Sequence, residues 1–153
     1  MEIDAVVKLG GSLIREGFLD KLLQKLTGLI HEHNLVVVIG GGDLANGVRS
    51  FNSKYDISAS QAHWTAIKCM DLNTEMAADI NVDIEVTDSI EDVEEILNGE
   101  KLPLLKTEQF MRSIDHPHSW DLTSDSISAL LANKIDAERL IIATDVEGIY
   151  SEE

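Results

Sequence analysis

A lysine interrupts the first apolar segment of the chain, Ala5 to Leu9, at Lys8. A lysine within a buried strand is costly unless its ammonium emerges at a ligand site or reaches solvent at the rim of a sheet. We favour a ligand site, because an ammonium there supplies a point charge for a phosphoryl group in transfer. Asp125 is the carboxylate that would orient this ammonium. Its position alone, at the predicted start of a helix, favours simple capping instead.

Glycine-bearing segments follow three apolar runs that are each typical of a strand: Lys8 to Ser12, Gly40 to Asp43, and Thr144 to Gly148. Glycine lets backbone N–H groups approach a phosphate closely, and a helix that begins in such a loop adds the positive end of its dipole. Any one loop could be only a tight turn. Three of them at three strand ends predict an anion site.

Two common phosphate-binding motifs do not explain these loops. No G-x-x-x-x-G-K-[ST] segment occurs, which excludes a P-loop. Residues 40–45 satisfy G-x-G-x-x-[GA] after a strand, which is the dinucleotide fingerprint. That fingerprint also needs a strand ending in an acidic residue about 20 residues further on, and this position falls near Ser60, where a long helix begins. The Rossmann interpretation therefore fails on its context.

The elements that would position the loops alternate between strand and helix. We predict strands over residues 5–9, 35–39, 84–86, 102–105 and 139–143, and helices over residues 19–30, 43–52, 58–79, 88–97 and 123–134. Pro103 indicates that the fourth strand lies at a sheet edge or that the proline stands at its start. The alternation predicts one α/β domain over residues 1–153, with three α/β/α layers around a mainly parallel sheet.

Charge and composition limit the partners. The chain has 12 Lys plus Arg against 28 Asp plus Glu, a net charge of −16, which disfavours nucleic acid and anionic membrane surfaces. A single cysteine, Cys69, cannot form an internal disulfide and suits a small buried hydrophobe. The N-terminus lacks a signal-peptide pattern, and no apolar run approaches the roughly 20 residues of a membrane span. We expect a cytoplasmic protein without membrane partners.

The sequence gives weaker evidence of a functional role for two histidines and a tryptophan. His116 and His118 flank a proline, but no third ligand follows at a metal-binding spacing, so we expect no metal ion held by the protein's own side chains. Trp120 would either cover a site or fill a gap in the packing.

As an ordered set, the motifs resemble those of the amino acid kinase superfamily. The matching segments are Val7 to Ser12, Val38 to Gly42, Thr123 to Asp125, and Thr144 to Tyr150. Ala66 to Asp71, together with His118 to Trp120, is similar to one branch of the family. That branch comprises the archaeal kinases of methanofuran biosynthesis that phosphorylate (5-(aminomethyl)furan-3-yl)methyl phosphate.

The resemblance implies in-line phosphoryl transfer from ATP, with Mg²⁺, to a small phosphorylated acceptor. It implies catalytic roles for Lys8 and Asp125. It assigns phosphate binding to the first two loops, at Gly10, Gly11, Ser12, Gly40, Gly41 and Gly42. It assigns the nucleotide's base and ribose to the third loop, at Thr144, Asp145, Val146, Gly148 and Tyr150. It assigns acceptor binding to Asp43, Asn46, Arg49, Lys68, Trp120 and Thr123.

Other branches of the superfamily match less well. Isopentenyl phosphate kinases place a histidine soon after the triple glycine, where this chain has Asp43 to Asn46. Uridylate kinases place an arginine at the position of Asn46, although Arg49 lies one turn further along the same predicted helix. A uridylate kinase-like enzyme therefore stays open as an alternative.

The resemblance also bears on chain length and assembly. Relatives continue beyond the third glycine loop, so we expect the C-terminal part of the fold, and with it part of the ATP site, to be missing. This leaves a catalytically idle nucleotide- or anion-binding module as a further alternative. Relatives often associate through the long helix that carries Lys68, so we also expect a homo-oligomer, dimeric or larger.

Overall fold

The computed structural model describes residues 1–145 as a parallel sheet flanked by helices. In chain order the described elements are β1 (Ala5–Leu9), α1 (Gly11–Arg15), α2 (Leu19–Thr27), β2 (Leu35–Ile39), α3 (Gly42–Tyr55), α4 (Ala59–Ala78), β3 (Ile84–Thr87), α5 (Val93–Asn98), β4 (Leu102–Leu105), α6 (Glu108–Arg112), α7 (Ser124–Lys134) and β5 (Arg139–Ala143). The strand order is β3-β4-β2-β1-β5, and each neighbouring pair is parallel. Helices cover both faces, which confirms the predicted three-layer α/β/α fold.

Sequence patterning predicted the strands better than the helix ends. The bounds of β1, β2, β4 and β5 agree with the prediction, and β3 is one residue longer. The prediction missed α1 and α6, because five residues are too short to show a helical period.

Local hydrogen bonds shorten α5, which was predicted over residues 88–97 but begins at Val93. The Thr87 hydroxyl accepts from the Ser89 backbone N–H at 3.0 Å and contacts the Asp92 carboxylate at 3.1 Å. Such side-chain bonds compete with helical ones and hold the intervening residues in a turn.

Pro103 lies inside the sheet, because β4 pairs with both β3 and β2. The backbone N–H groups of Leu102 and Lys106 donate toward β3, to Asp83 and Thr87, both at 2.8 Å. Residues alternate in direction along a parallel strand, so the N–H that Pro103 lacks would have faced β2. Of the two predicted possibilities, the structure therefore selects a proline near the strand start.

Two apolar clusters fill the space on either side of the sheet. One contains Val6, Val36 and Val38 with residues of α4 to α7, and the other contains Val7 and Leu9 with residues of α2 and the end of α4. Lys8 belongs to the same side of β1 as Val6, since side chains alternate along a strand. Its side chain therefore faces the layer that contains α7. Within residues 1–145, no helix is both long enough and apolar enough to cross a membrane.

Candidate functional site

Lys8 and Asp125 form an ion pair at the carboxyl end of β1. Lys8 is only 7% exposed, whereas the Asp125 side chain is 49% exposed. The Lys8 ammonium lies 2.6 Å from Asp125 Oδ1. Thr123 caps α7 by accepting a hydrogen bond from the Ser126 N–H at 3.4 Å, so Asp125 is not the residue that caps the helix. The pairing leaves a buried cation with one charged partner beside the first glycine loop.

The first two glycine loops touch backbone to backbone. A Cβ on Gly11 would lie 2.1 Å from the Cα of Gly42, and Gly42 itself has a φ of +52°. The Gly40 N–H donates to the carbonyl of Leu9 at 2.9 Å, which joins the second loop to the end of β1. No larger residue fits at Gly11 without moving the second loop, so the close approach requires glycine.

Asn73 orients the second glycine loop from the long helix α4. Its side chain is 5% exposed, and its amide donates to the carbonyls of Gly40 at 2.8 Å and Gly41 at 3.0 Å. Binding both carbonyls fixes which way the peptide groups of this loop face. The sequence analysis did not single out Asn73, because nothing local distinguishes it from other helical polar residues.

A cavity of about 320 Å³ opens beside the joined loops. Eight of the predicted site residues line it: Gly11, Ser12, Gly41, Gly42, Asn46, Arg49, Trp120 and Thr123. Its walls also include apolar side chains of α4 and α7, among them Ile67, Met70 and Ile127. The structure thus brings predicted site residues from segments far apart in the chain to one cavity, while their binding roles stay predictions.

Trp120 packs against α3 on one side of this cavity. The guanidinium carbon of Arg49 lies 4.6 Å from the centre of the Trp120 ring, a cation–π arrangement. With its amide oriented so that the oxygen faces the indole, Asn52 accepts from Trp120 Nε1 at 3.2 Å. The tryptophan therefore forms a wall of the cavity, held at both its face and its N–H.

Two residues predicted to bind the acceptor lie elsewhere. Lys68 points away from the cavity lining, with its ammonium 4.0 Å from Glu108 at α6. Asp43 is exposed and lies 3.6 Å from Arg15, outside the lining residues. The helical period explains Lys68, since it occupies the opposite face of α4 from Ile67 and Met70. Arg15, which the sequence analysis overlooked, does line the cavity.

The third glycine loop approaches the first at the same edge of the sheet. The Gly10 N–H donates to the carbonyl of Ala143 at 3.0 Å. A hydrogen bond from the Ser12 side chain is the main reason that the pKa of Asp145 lies below its usual range. Thr144 and Asp145 are exposed at this edge. The predicted nucleotide-binding residues Val146, Gly148 and Tyr150 lie outside the described residues.

The profile of the Amino acid kinase family matches residues 5–153. The chain belongs to this family. It is 40% identical over 148 residues to the [5-(aminomethyl)furan-3-yl]methyl phosphate kinase of Methanocaldococcus jannaschii, an alignment that covers 95% of this chain and 67% of that protein. It is 25% identical to a uridylate kinase of Pyrococcus abyssi, covering 97% of this chain and 65% of that one.

Solved structures show the same fold. The uridylate kinase of Archaeoglobus fulgidus superposes with a TM-score of 0.75 at 23% identity, covering 98% of this chain and 67% of that one. The chain thus spans about two thirds of the length of these relatives. The matched proteins are named kinases. This member of the amino acid kinase family is accordingly a phosphotransferase.

The described residues, 1–145, provide part of an amino acid kinase site. The chemistry of that part fits phosphate groups. Close packing of Gly11 on Gly42 excludes side chains from the joined loops, and Gly11, Gly41 and Gly42 line the cavity. Lys8 Nζ lies 3.6 Å from where a Cβ on Gly10 would stand, so a positive charge borders the same space. The arrangement suits an anion with several oxygens, such as a polyphosphate.

Three imidazole rings meet at the part of the cavity that His63 lines. His63, a buried residue of α4, lines the cavity and contacts His116 and His118 from the segment between α6 and α7. Burial, followed by the two neighbouring imidazoles, lowers the pKa of His63 below its ordinary value. The sequence analysis missed His63, because it lies 53 residues before His116 and no spacing rule connects them.

Proposed function

We propose that this chain transfers a phosphoryl group from ATP to a small phosphorylated acceptor, (5-(aminomethyl)furan-3-yl)methyl phosphate. The observation that carries the proposal is the ion pair of the buried Lys8 with Asp125, beside two glycine loops that contribute residues to one cavity. The named relative at 40% identity supports this acceptor over a nucleoside monophosphate, since the uridylate kinase of Pyrococcus abyssi reaches 25%.

Lys8 would stabilise the negative charge that spreads over the phosphoryl oxygens during transfer. Asp125 would act as a positioning residue by holding the ammonium at 2.6 Å. Because Lys8 itself is buried, its fixed charge is worth more than that of an exposed cation. Phosphoryl transfer needs mainly position and charge, and this pair with the backbone N–H groups of the loops provides both.

The acceptor end of the cavity combines cations with apolar walls. Arg15 and Arg49 bring guanidinium groups to the lining of a chain whose net charge is −16. Such local cations attract an anionic acceptor against the repulsion of the whole molecule. Trp120, Ile67 and Met70 present flat or apolar surface that fits a small ring.

The Mg²⁺ that accompanies ATP would supply neutralisation of part of the phosphate charge. This matters in an acidic chain, where Lys8 is the buried cation of the site. The residues that would hold the phosphates are those of the joined glycine loops, with Ser12 beside them.

The experiment compares acceptors in the purified chain supplied with ATP and Mg²⁺. We expect diphosphate product from (5-(aminomethyl)furan-3-yl)methyl phosphate and little product from UMP. Product from UMP alone would replace the proposed acceptor with a nucleotide. No product from either, together with heat on titration of ATP–Mg, would favour an idle binding module. No product and no ATP binding would overturn the proposed function for this chain.

We also propose that the chain forms a homo-oligomer through α4. Leu72 and Met76 are 50% and 59% exposed on this helix, and Ile80 just beyond it is 45% exposed. An apolar strip of this kind is stabilised when a second copy covers it. Sedimentation of the purified chain tests this, and a monomer at high micromolar concentration would contradict it.

A further inference from the structure

Three imidazoles meet at one end of the cavity, beside Trp64. His63 comes from α4 and is 4% exposed, while His116 and His118 come from the segment between α6 and α7. One ring nitrogen of each histidine lies within 4.8 Å of the other two. His63 Nε2 is only 2.8 Å from His116 Nε2.

Hydrogen bonds fix how these rings present their nitrogens. His116 Nδ1 lies 3.1 Å from the carbonyl of Ile114, which can only accept, so Nδ1 carries the proton. A neutral His116 therefore turns an unprotonated Nε2 toward His63. His118 Nδ1 lies 3.0 Å from the Ser60 hydroxyl. Outer contacts of this kind orient imidazoles that bind metal ions in proteins.

We propose that His63, His116 and His118 bind a divalent transition-metal ion, with Zn²⁺ as the reference ion. Imidazole nitrogen suits Zn²⁺ and its neighbours in the first row, whereas Mg²⁺ prefers oxygen. Zn–N bonds of about 2.0–2.1 Å in a tetrahedral site place the nitrogens about 3.3 Å apart. The His63–His116 separation of 2.8 Å lies below that value and every separation is within 4.8 Å. A small shift between His63 and His116 and a rotation of the exposed His118 would complete the triangle.

Aromatic packing gathers the three rings before any ion binds, and His118 would then turn out of its stack on His63 so that its in-plane lone pair faces the same ion. The His63 and His118 rings stack at 4.9 Å with an interplanar angle of 11°. Trp64 meets His116 and His118 edge-on at 5.5 Å and 5.3 Å. The guanidinium carbon of Arg112 lies over the Trp64 ring, 4.1 Å from its centre. A site whose ligands are already positioned loses less entropy on binding.

The ion would tie α4 to the segment that leads into α7. That segment carries Ser119, Trp120 and Leu122, which line the acceptor end of the cavity. Three protein ligands leave a fourth position for water. The site therefore fixes one wall of the cavity, and its existence is independent of the phosphoryl-transfer proposal. It also replaces the sequence-based expectation that no side chains of this protein hold a metal.

The test titrates Zn²⁺ and Co²⁺ into the metal-free, tag-free chain, with millimolar Mg²⁺ present throughout. We expect one ion per chain with micromolar or tighter affinity, and the strong visible absorption of four-coordinate Co²⁺. At about 100 times the dissociation constant, Zn²⁺ should raise the melting temperature by roughly 5–10 °C. His118→Gln and His116→Gln should each weaken binding by about 100-fold or more, beyond the cost of losing an outer contact.

His31→Gln is the matched control, since His31 is an exposed histidine between α2 and β2, away from the cluster. It should leave the affinity unchanged. Circular dichroism in chelator verifies that each variant is folded, and His118→Gln is the key variant because its side chain is exposed. Equal binding by the His31→Gln and His118→Gln chains, or no binding at micromolar Zn²⁺, would overturn the proposal.

Discussion

At the scale of single residues, the main feature of the candidate site is a buried charge, and burial strengthens the electrostatic interactions of that charge. Lys8 is 7% exposed, and its charge is compensated by a carboxylate 2.6 Å away. A buried ammonium with one anionic partner retains strong interactions with a second anion that arrives in the same space. This explains why a cation is kept within an otherwise apolar strand.

Replacing Lys8 by alanine removes that charge. We expect Lys8→Ala to lower turnover by about 10²-fold or more, the scale of losing one preorganised charge-stabilising group. The KM for the acceptor should change little, since the residues proposed to bind the acceptor are others. Steady-state kinetics with ATP–Mg measures both constants.

Lys21→Ala is the matched control, because Lys21 is an exposed lysine of α2. It carries the same change of charge and side chain at a distance from the cavity, and its turnover should stay at the native level. Near-native turnover in Lys8→Ala would exclude the proposed role of this lysine.

At the scale of elements, the sheet brings three strand ends to one edge, and α4 holds the loop that follows β2. β1 pairs with β2 and β5 in register over five residues each. The glycine loops that follow β1 and β2 are consequently adjacent. Asn73 ties the loop after β2 to α4 through the carbonyls of Gly40 and Gly41.

The contact between loops predicts that Gly11→Ala is severe. Its Cβ would stand 2.1 Å from the Gly42 Cα, so the two loops must separate. We expect activity to fall by about 10²-fold, because displacing a phosphate cradle by about 1 Å has effects of that size. Activity assays and urea unfolding measure the two consequences.

Gly47→Ala provides the control for that variant, since a Cβ at Gly47 in α3 meets nothing within 4 Å. We expect it to retain activity and to gain about 0.5–1 kcal/mol of stability from the higher helix propensity of alanine. Equal activities of the two variants would refute the steric argument.

Asn73→Ala should loosen the second glycine loop, because it removes the hydrogen bonds that join this loop to α4. It leaves the buried carbonyls of Gly40 and Gly41 without these donors, which costs about 1–3 kcal/mol of unfolding free energy. Chemical denaturation measures it. Asn133→Ala, at an exposed position of α7, should cost less than about 0.5 kcal/mol. A smaller loss at Asn73 than at Asn133 would show that the amide does not hold the loop.

At the scale of the whole molecule, the charge of −16 acts on stability as well as on ligands. Like charges on a compact surface repel one another, and dissolved salt screens that repulsion over about 8–10 Å at physiological ionic strength. Arg15 and Arg49, the cations that line the cavity, lie within this negative field.

Salt should therefore stabilise the protein. Raising NaCl from low to physiological concentration should increase the melting temperature by about 2–4 °C, equivalent to about 1 kcal/mol. Calorimetry measures the shift, and KCl at equal concentration separates screening from effects of a particular cation. A lower melting temperature in both salts would mean that attractive ion pairs outweigh the net repulsion.

The sequence by itself determined the strands and the parallel α/β class. β1 and β2 are short buried runs that end in glycine, and such local patterns carry strong signals. Because strand ends in a parallel sheet meet at one edge, the predicted strands also implied that the loops after β1 and β2 are neighbours. The binding roles given to residues of those loops stay predictions.

Only the tertiary structure decided which side chains meet. It paired Lys8 with Asp125, placed Lys68 on the far face of α4, and brought His63 to two histidines more than fifty residues away in the chain. Helix faces and loop paths are set by packing against the sheet, and small rotations exchange a cavity residue for a surface one. Long-range proximity of this kind leaves no local pattern, so it emerges only when the chain is folded.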